Sequence, residues 1–168
     1  MIAYRAGHAA DADALAAMAQ QSYIETFGTL YARADLDAFL GDVLAPERFA
    51  AQLADPAYRF RLATIEGQPI GYAKLGPQYF EDFPADAACL HQLYVLAAHH
   101  GDGPGRVLMD WALDAAQAEG KAEMYLSVFV DNHRARRFYA RYGFVEVGKY
   151  VYMVGTQADD DRILRLAL

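Results

Sequence analysis

Three glycines in five residues, Gly101, Gly103 and Gly105, stand between a strand-like run and an amphipathic one. Glycine lets a backbone approach a ligand closely, and the first turn of a helix offers unpaired N–H groups to an anion. A phosphate or pyrophosphate is the natural guest, although the same glycines also serve an ordinary tight turn. Two familiar phosphate loops do not fit. A P-loop needs Lys and then Ser or Thr after its last glycine, whereas Arg106 and Val107 follow Gly105. The dinucleotide fingerprint needs a third glycine where Arg106 stands and an acid ending the next strand, whereas Glu123 precedes its strand. A second cluster, Ala135, Phe138, Tyr139 and Tyr142, carries a phenol that can hold or give a proton. Its i, i+3, i+4, i+7 spacing is equally that of any core-facing helix.

The elements that must hold these residues are legible. Ile2–Arg5 reads as a strand. Leu15, Met18, Ala19, Ser22 and Tyr23 recur at helical spacing from Asp11 to a stop at Gly28. A second helical region covers about residues 35–54, with breaks expected at Gly41 and Pro46. Tyr58–Ile65 and Ile70–Leu75 form a hairpin around Glu66-Gly67-Gln68-Pro69. Residues 78–88 form a loop that mixes Tyr79, Phe80 and Phe83 with Glu81, Asp82 and Asp86. Cys89–Leu96 is a strand leading into the glycine turn. A helix with Val107, Leu108, Trp111, Ala112 and Ala115 on one face then runs to Gly120. Met124–Val130 is a strand, Asn132–Tyr142 a helix, Phe144–Val154 a strand or hairpin arm, and Ile163–Leu168 a last strand. This order describes a mixed α/β (α+β) architecture in one domain spanning 1–168.

Composition narrows the partners. A chain of 168 residues, 55% apolar and 22% charged, has a globular composition. At this length folding can bury about 70% of the unfolded surface, so no disulfide or metal is needed for a core. Fifteen basic against 22 acidic residues give a formal charge of -7, which argues against nucleic acid and suits a cationic small partner. Cys89 is the single cysteine, in keeping with a reducing compartment. No apolar run is long enough for a membrane span, and the first residues lack a secretory pattern, so a cytoplasmic location and no membrane partner are expected.

The strand Leu93-Tyr94-Val95, the turn His100-Gly101-Asp102-Gly103-Pro104-Gly105 and the later Asn132, Ala135, Phe138-Tyr139 and Gly143-Phe144 together resemble the GNAT superfamily of acyl-CoA-dependent N-acyltransferases. The resemblance implies a mixed sheet of about seven strands flanked by about four helices, with a splayed parallel pair. Those two strands are Cys89–Leu96 and Met124–Val130. It implies acetyl-CoA as acyl donor and no metal. The thioester carbonyl faces an N–H near Val95, and the pyrophosphate lies on Gly101 to Arg106, fixed dipoles aimed where negative charge develops. Asn132 lies beside the pantetheine arm, Ala135 and Phe138 belong to the cofactor site, and Tyr139 protonates the departing thiolate. The acceptor implied is a small-molecule amine. A homodimer is compatible with the resemblance.

The chain departs from the family pattern at three points. His100 replaces an Arg or Gln, Pro104 removes one donor from the cradle, and Cys89 stands where many relatives carry a basic Glu. His91, two residues on and so on the same face of a regular strand, is either the substitute base or a half-buried polar residue. Shorter details, Ile24 to Gly28, Tyr152-Met153, Asp161 and Ile163-Leu164, resemble bacterial spermidine/spermine N-acetyltransferases. Glu25, Phe27, Tyr31, Glu81 and Asp82 then become acceptor residues suited to a polycation through charge and cation–π contact. The alternative for the acids is solvated surface charge. A protein N-terminal or lysine acetyltransferase, or a non-catalytic acyl-CoA sensor, also fits the motifs.

Overall fold

A computed structural model describes residues 1–168. Seven strands form one sheet in the order β1-β2-β3-β4-β5-β7-β6: β1 Ala3–Ala6, β2 Arg59–Ile65, β3 Gln68–Gly76, β4 Ala88–Val95, β5 Glu123–Phe129, β6 Val145–Val154 and β7 Gln157–Ala167. Five helices flank it: α1 Ala12–Phe27, α2 Arg33–Asp42, α3 Pro46–Ala54, α4 Pro104–Ala118 and α5 His133–Arg141. None is long and apolar enough to cross a membrane.

The region expected to be helical between 35 and 54 is two helices. Pro46 divides them, because it lacks an N–H and suits the first helical turn. Gly41 makes no break; it sits inside α2, where no neighbour lies near its missing side chain. Gln68 and Pro69 belong to β3, so the hairpin turn is only Glu66-Gly67, both with positive φ as a type I′ turn requires. The last strand starts at Gln157, well before Ile163. Asp159, Asp160 and Asp161 lack intrinsic strand preference, but pairing of all three with β6, and of Asp161 with Phe129 of β5, overrides it.

Each face of the sheet buries its own core. Leu108, Met109, Ala112 and Ala116 of α4 pack with Leu90, Leu126 and Val128 on one face. Leu15, Met18, Ala19, Tyr23, Phe39 and Phe49 of α1–α3 pack with Leu62 and Tyr72 on the other. Truncating a fully buried leucine such as Leu62 to Ala costs about 2–5 kcal/mol. Asp35 of α2 accepts hydrogen bonds from the N–H (2.7 Å) and hydroxyl (2.9 Å) of Thr156, which ties the α1–α3 layer to the β6–β7 hairpin.

The parallel pair β4–β5 is the weak seam. It is paired only at Ala88–Met124 and Cys89–Tyr125, whereas β5 and β7 stay in register from Glu123–Ala167 to Phe129–Asp161. Beyond Cys89 the two strands part. Their inner edges, free of each other, open a cavity between the two layers.

Candidate active site

The parted strands lead into a cavity of about 510 Å³. One side is built largely from main chain. Leu96 gives its N–H to the Ile70 carbonyl of β3, so the neighbouring Val95 N–H points the other way, toward the gap. The Val95 carbonyl accepts from Ser22 Oγ (3.3 Å) and from His100 Nε2 (2.8 Å), which fixes the mouth of the turn against β4. Gly101 and Gly103 hold φ of 97° and 93°, conformations that side chains resist, and nothing lies within 4 Å of a Cβ built on either. The N–H groups of Gly101, Gly103 and Gly105 find no acceptor in the protein. Pro104 opens α4 at a position whose N–H would be unpaired in any case. Three free donors at a helix start make a cradle for a phosphate oxyanion, so these residues fit the pyrophosphate of a coenzyme A.

The turn residues line the cavity as a group, with Leu93, Tyr94, Val95, His100, Pro104 and Arg106 among them; Asp102 points away and is exposed. Positive charge enters from an unexpected place. Arg134 of α5 brings Nη1 to 3.0 Å from His100 Nε2, so a guanidinium stands beside the residue that replaced the family's cation. Asn132 caps α5 by accepting from the Ala135 N–H at 3.2 Å. Ala135, Phe138 and Tyr139 follow along the cavity wall. Tyr139 is buried, and burial raises its phenol pKa, so it stays protonated at every working pH. Its hydroxyl has no protein partner and stays open to the cavity.

The opposite side is made of side chains from many elements. Ser22, Tyr23 and Phe27 come from α1, Tyr31 from the loop after it, Tyr79 from the loop before β4, and Ser127 from β5. Tyr152, Asp159 and Asp161 complete it from β6 and β7. Both aspartates are buried. Asp159 is held by a short hydrogen bond from the Tyr31 hydroxyl and by Gln157 Nε2 at 3.1 Å. Asp161 makes no ion pair. Burial raises its pKa to about 6, helped by the charges of Asp159 and Asp160 and opposed by the Ser127 hydroxyl and Arg162.

The remaining predicted residues fall in various places. Phe27 and Tyr31 line the cavity, whereas Glu25, Glu81 and Asp82 do not. Glu25 lies on the outer side of α1 and accepts from the Ala97 N–H at 2.8 Å, securing the chain just after β4. Glu81 and Asp82 sit on the exposed crest of their loop, whose aromatic members Phe80 and Phe83 turn inward instead. Regular alternation through β4 fails. A bulge opposite Lys74 and Leu75 leaves His91 as the extra residue, and Gln92 takes the inward position beside Tyr94, bonded to the Tyr72 hydroxyl at 2.7 Å. His91 reaches the cavity wall, but its Nε2 is 2.7 Å from the Pro77 carbonyl and must donate to it, and desolvation lowers its pKa to about 4. Cys89 is sealed against Phe80, Tyr125 and Ile163, and burial pushes its thiol up to about 12. It is no nucleophile at neutral pH. Sequence patterning missed Arg134, Ser127 and Asp159 and gave Asp161 no acceptor role.

Residues 16–144 match the acetyltransferase (GNAT) family. An uncharacterised N-acetyltransferase of Mycobacterium tuberculosis is 32% identical over 154 residues, 92% of this chain and 96% of its own. An aminoalkylphosphonate N-acetyltransferase of Salmonella typhimurium is 32% identical over 57% of this chain and 62% of its own. In fold, the chain is similar to a PaiA N-acetyltransferase of Thermoplasma acidophilum solved with coenzyme A, with TM-score 0.81, 19% identity and coverage of 100% and 99%. The chain belongs to the acetyltransferase (GNAT) family and is an acetyl-CoA-dependent N-acetyltransferase.

Proposed function

We propose that the protein transfers the acetyl group of acetyl-CoA directly to a primary amine of a small molecule, a class that includes polyamines and amino-acid-like amines. One observation carries this reading: a single cavity has free main-chain donors at one end and a buried carboxylate without an ion pair, Asp161, at the other. The relative named for aminoalkylphosphonates points to the same small-amine class. Acetyl-CoA supplies an acetyl thioester; Gly101, Gly103, Gly105 and Arg106 hold its pyrophosphate, and the Val95 N–H faces the developing oxyanion.

The chain's own residues handle the protons. An amine with a pKa near 10.4 is almost wholly protonated at pH 7, so it arrives as a cation. Asp161 and Asp159 attract that cation, and Tyr23, Tyr31 and Tyr152 offer aromatic walls. The ammonium has no lone pair, so Asp161 first accepts one of its protons, directly or through one water. The freed amine attacks the thioester carbon, and the second proton, made acidic as the C–N bond forms, is lost through solvent. With a pKa near 6, Asp161 is ionised at pH 7 yet about two units more basic than an ordinary Asp, which suits a general base. His91, a much weaker base with one nitrogen already committed, is left with a wall position. Tyr139, held protonated, hydrogen-bonds the sulfur as negative charge builds there and supplies the proton as the thiol forms.

Release of free thiol from acetyl-CoA tests the reading across a panel of spermidine, amino acids, simple alkylamines and peptides with free N-termini. Turnover of small amines over peptides is expected. Binding of coenzyme A with no turnover of any small amine would sink it.

A further inference from the structure

A recess beside the cavity, between α3 and β3, holds basic groups that acetyl transfer does not use. Lys74, inside β3, is 4% exposed. Its Nζ donates to Gln52 Oε1 at 3.0 Å and lies 5.8–6.0 Å from the ring centres of Phe49, Tyr58 and Phe60. No carboxylate is within ion-pair distance of it. The charge that acts on it is Arg48, another cation, and burial together with that repulsion lowers the lysine pKa to about 7. Arg48 in turn is paired with Asp42 at 2.5 Å through Nη2. Lys74 and Arg48 line a common recess of about 140 Å³. Tyr79, His91, Gln92 and Tyr152 are walls of both this recess and the main cavity, so the two spaces adjoin on the acceptor side.

A buried ammonium with no counter-ion is costly, and an entering anion would offset that cost. The recess is large enough: a water occupies roughly 30 Å³ in the liquid, so a carboxylate or phosphonate headgroup has room. The polar donors at hand, an ammonium, a guanidinium and the Gln52 and Gln92 amides, match an oxyanion.

We propose that this recess is an anion subsite for the acceptor, in which Lys74 and Arg48 hold a carboxylate or phosphonate at the far end of a molecule whose amine lies beside Asp161. The proposal rests on the amine-transfer reading above and narrows it, from amines in general to amines that carry an oxyanion, and away from polycations.

Matched acceptors test it: 4-aminobutyrate against butylamine, 3-aminopropylphosphonate against propylamine, with spermidine alongside. The oxyanion-bearing member should show kcat/KM higher by about tenfold or more, mostly through KM. Lys74→Gln should bring that ratio to within about twofold of unity, and the exposed-side variant Arg48→Gln should lower it by about threefold. Equal kcat/KM within the wild-type pairs, a preference for spermidine, or a ratio unchanged in both variants would overturn the subsite. A second readout needs no turnover: with coenzyme A saturating its cradle, methylphosphonate should raise the melting temperature of the wild type and not of Lys74→Gln. Stabilisation of this kind without turnover of any amine would uphold the subsite and count against the amine reading. Absence of stabilisation in the wild type would overturn the subsite itself.

Discussion

The two sides of the cavity are built on different principles. The cofactor side is short in sequence and made mostly of backbone: β4, the turn 100–106 and the first turns of α4 and α5. The acceptor side gathers side chains from Ser22 to Asp161 out of α1, β4, β5, β6 and β7. Backbone dipoles do the same work whatever residues surround them, provided the φ values are reached. That side therefore tolerates His100 and Pro104, and Arg134 can arrive from another helix to supply charge. Side-chain walls have no such tolerance. A polar residue one position out of place, as His91 is by the β4 bulge, presents different chemistry to the acceptor.

This contrast can be broken most directly at Asp161. Asp161→Asn should lower kcat/KM by about 10²–10³-fold and abolish the rise of kcat/KM through pH 6, with coenzyme A affinity unchanged by calorimetry. The same change should stabilise the fold. Because burial raises the folded-state pKa of Asp161 above its ordinary 3.8 to about 6, the native protein binds that proton more tightly than the unfolded chain. Stability therefore falls as pH rises between those values and stays lowered above them. Removing the charge should return about 1–3 kcal/mol at pH 7.5, discounted for partial solvation and read as an upward shift in melting temperature. Activity and stability moving in the same direction would break the assignment.

Tyr139→Phe comes next, with kcat down by about 10²-fold and cofactor affinity within about twofold of wild type. On the cofactor side, Gly103→Ala forces a side chain into φ 93° and should weaken coenzyme A binding by about tenfold through a strained cradle, while sparing relative preference among acceptors. Smallest of all, Glu25→Ala should leave the acceptor preference unchanged. It removes one hydrogen bond to the Ala97 N–H, worth about 1 kcal/mol in thermal stability. A change of preference there would return Glu25 to the acceptor site.

How far the site was readable follows the same division. The glycine turn, Asn132 and the Phe138-Tyr139 pair, all of which line the cavity, announce themselves because each is marked by neighbours close in sequence. Glu25, Glu81 and Asp82 looked equally apt, having the right charge near the right segment. Which side of α1 faces inward, and which members of the 78–88 loop are pulled under it, is settled by packing against the sheet. Asp159 was hidden for the converse reason, and Asp161 stood out only as a terminal family detail with no acceptor role. Three consecutive acids do not read as a strand, and β7 forms there because β6 pairs along all three and β5 reaches Asp161.

The amino-acid sequence by itself determined the order of elements, the glycine turn that opens α4 and the phenol carried by α5, since these depend on local periodicity, on glycine's backbone freedom and on helix starts. Tertiary structure alone decided where β4 and β5 part, that β4 bulges at His91, that Asp161 and Arg134 meet one cavity, and that Lys74 lines a recess adjoining it. Those outcomes depend on strand register and on contacts between residues far apart in the chain, and no local pattern encodes such distances.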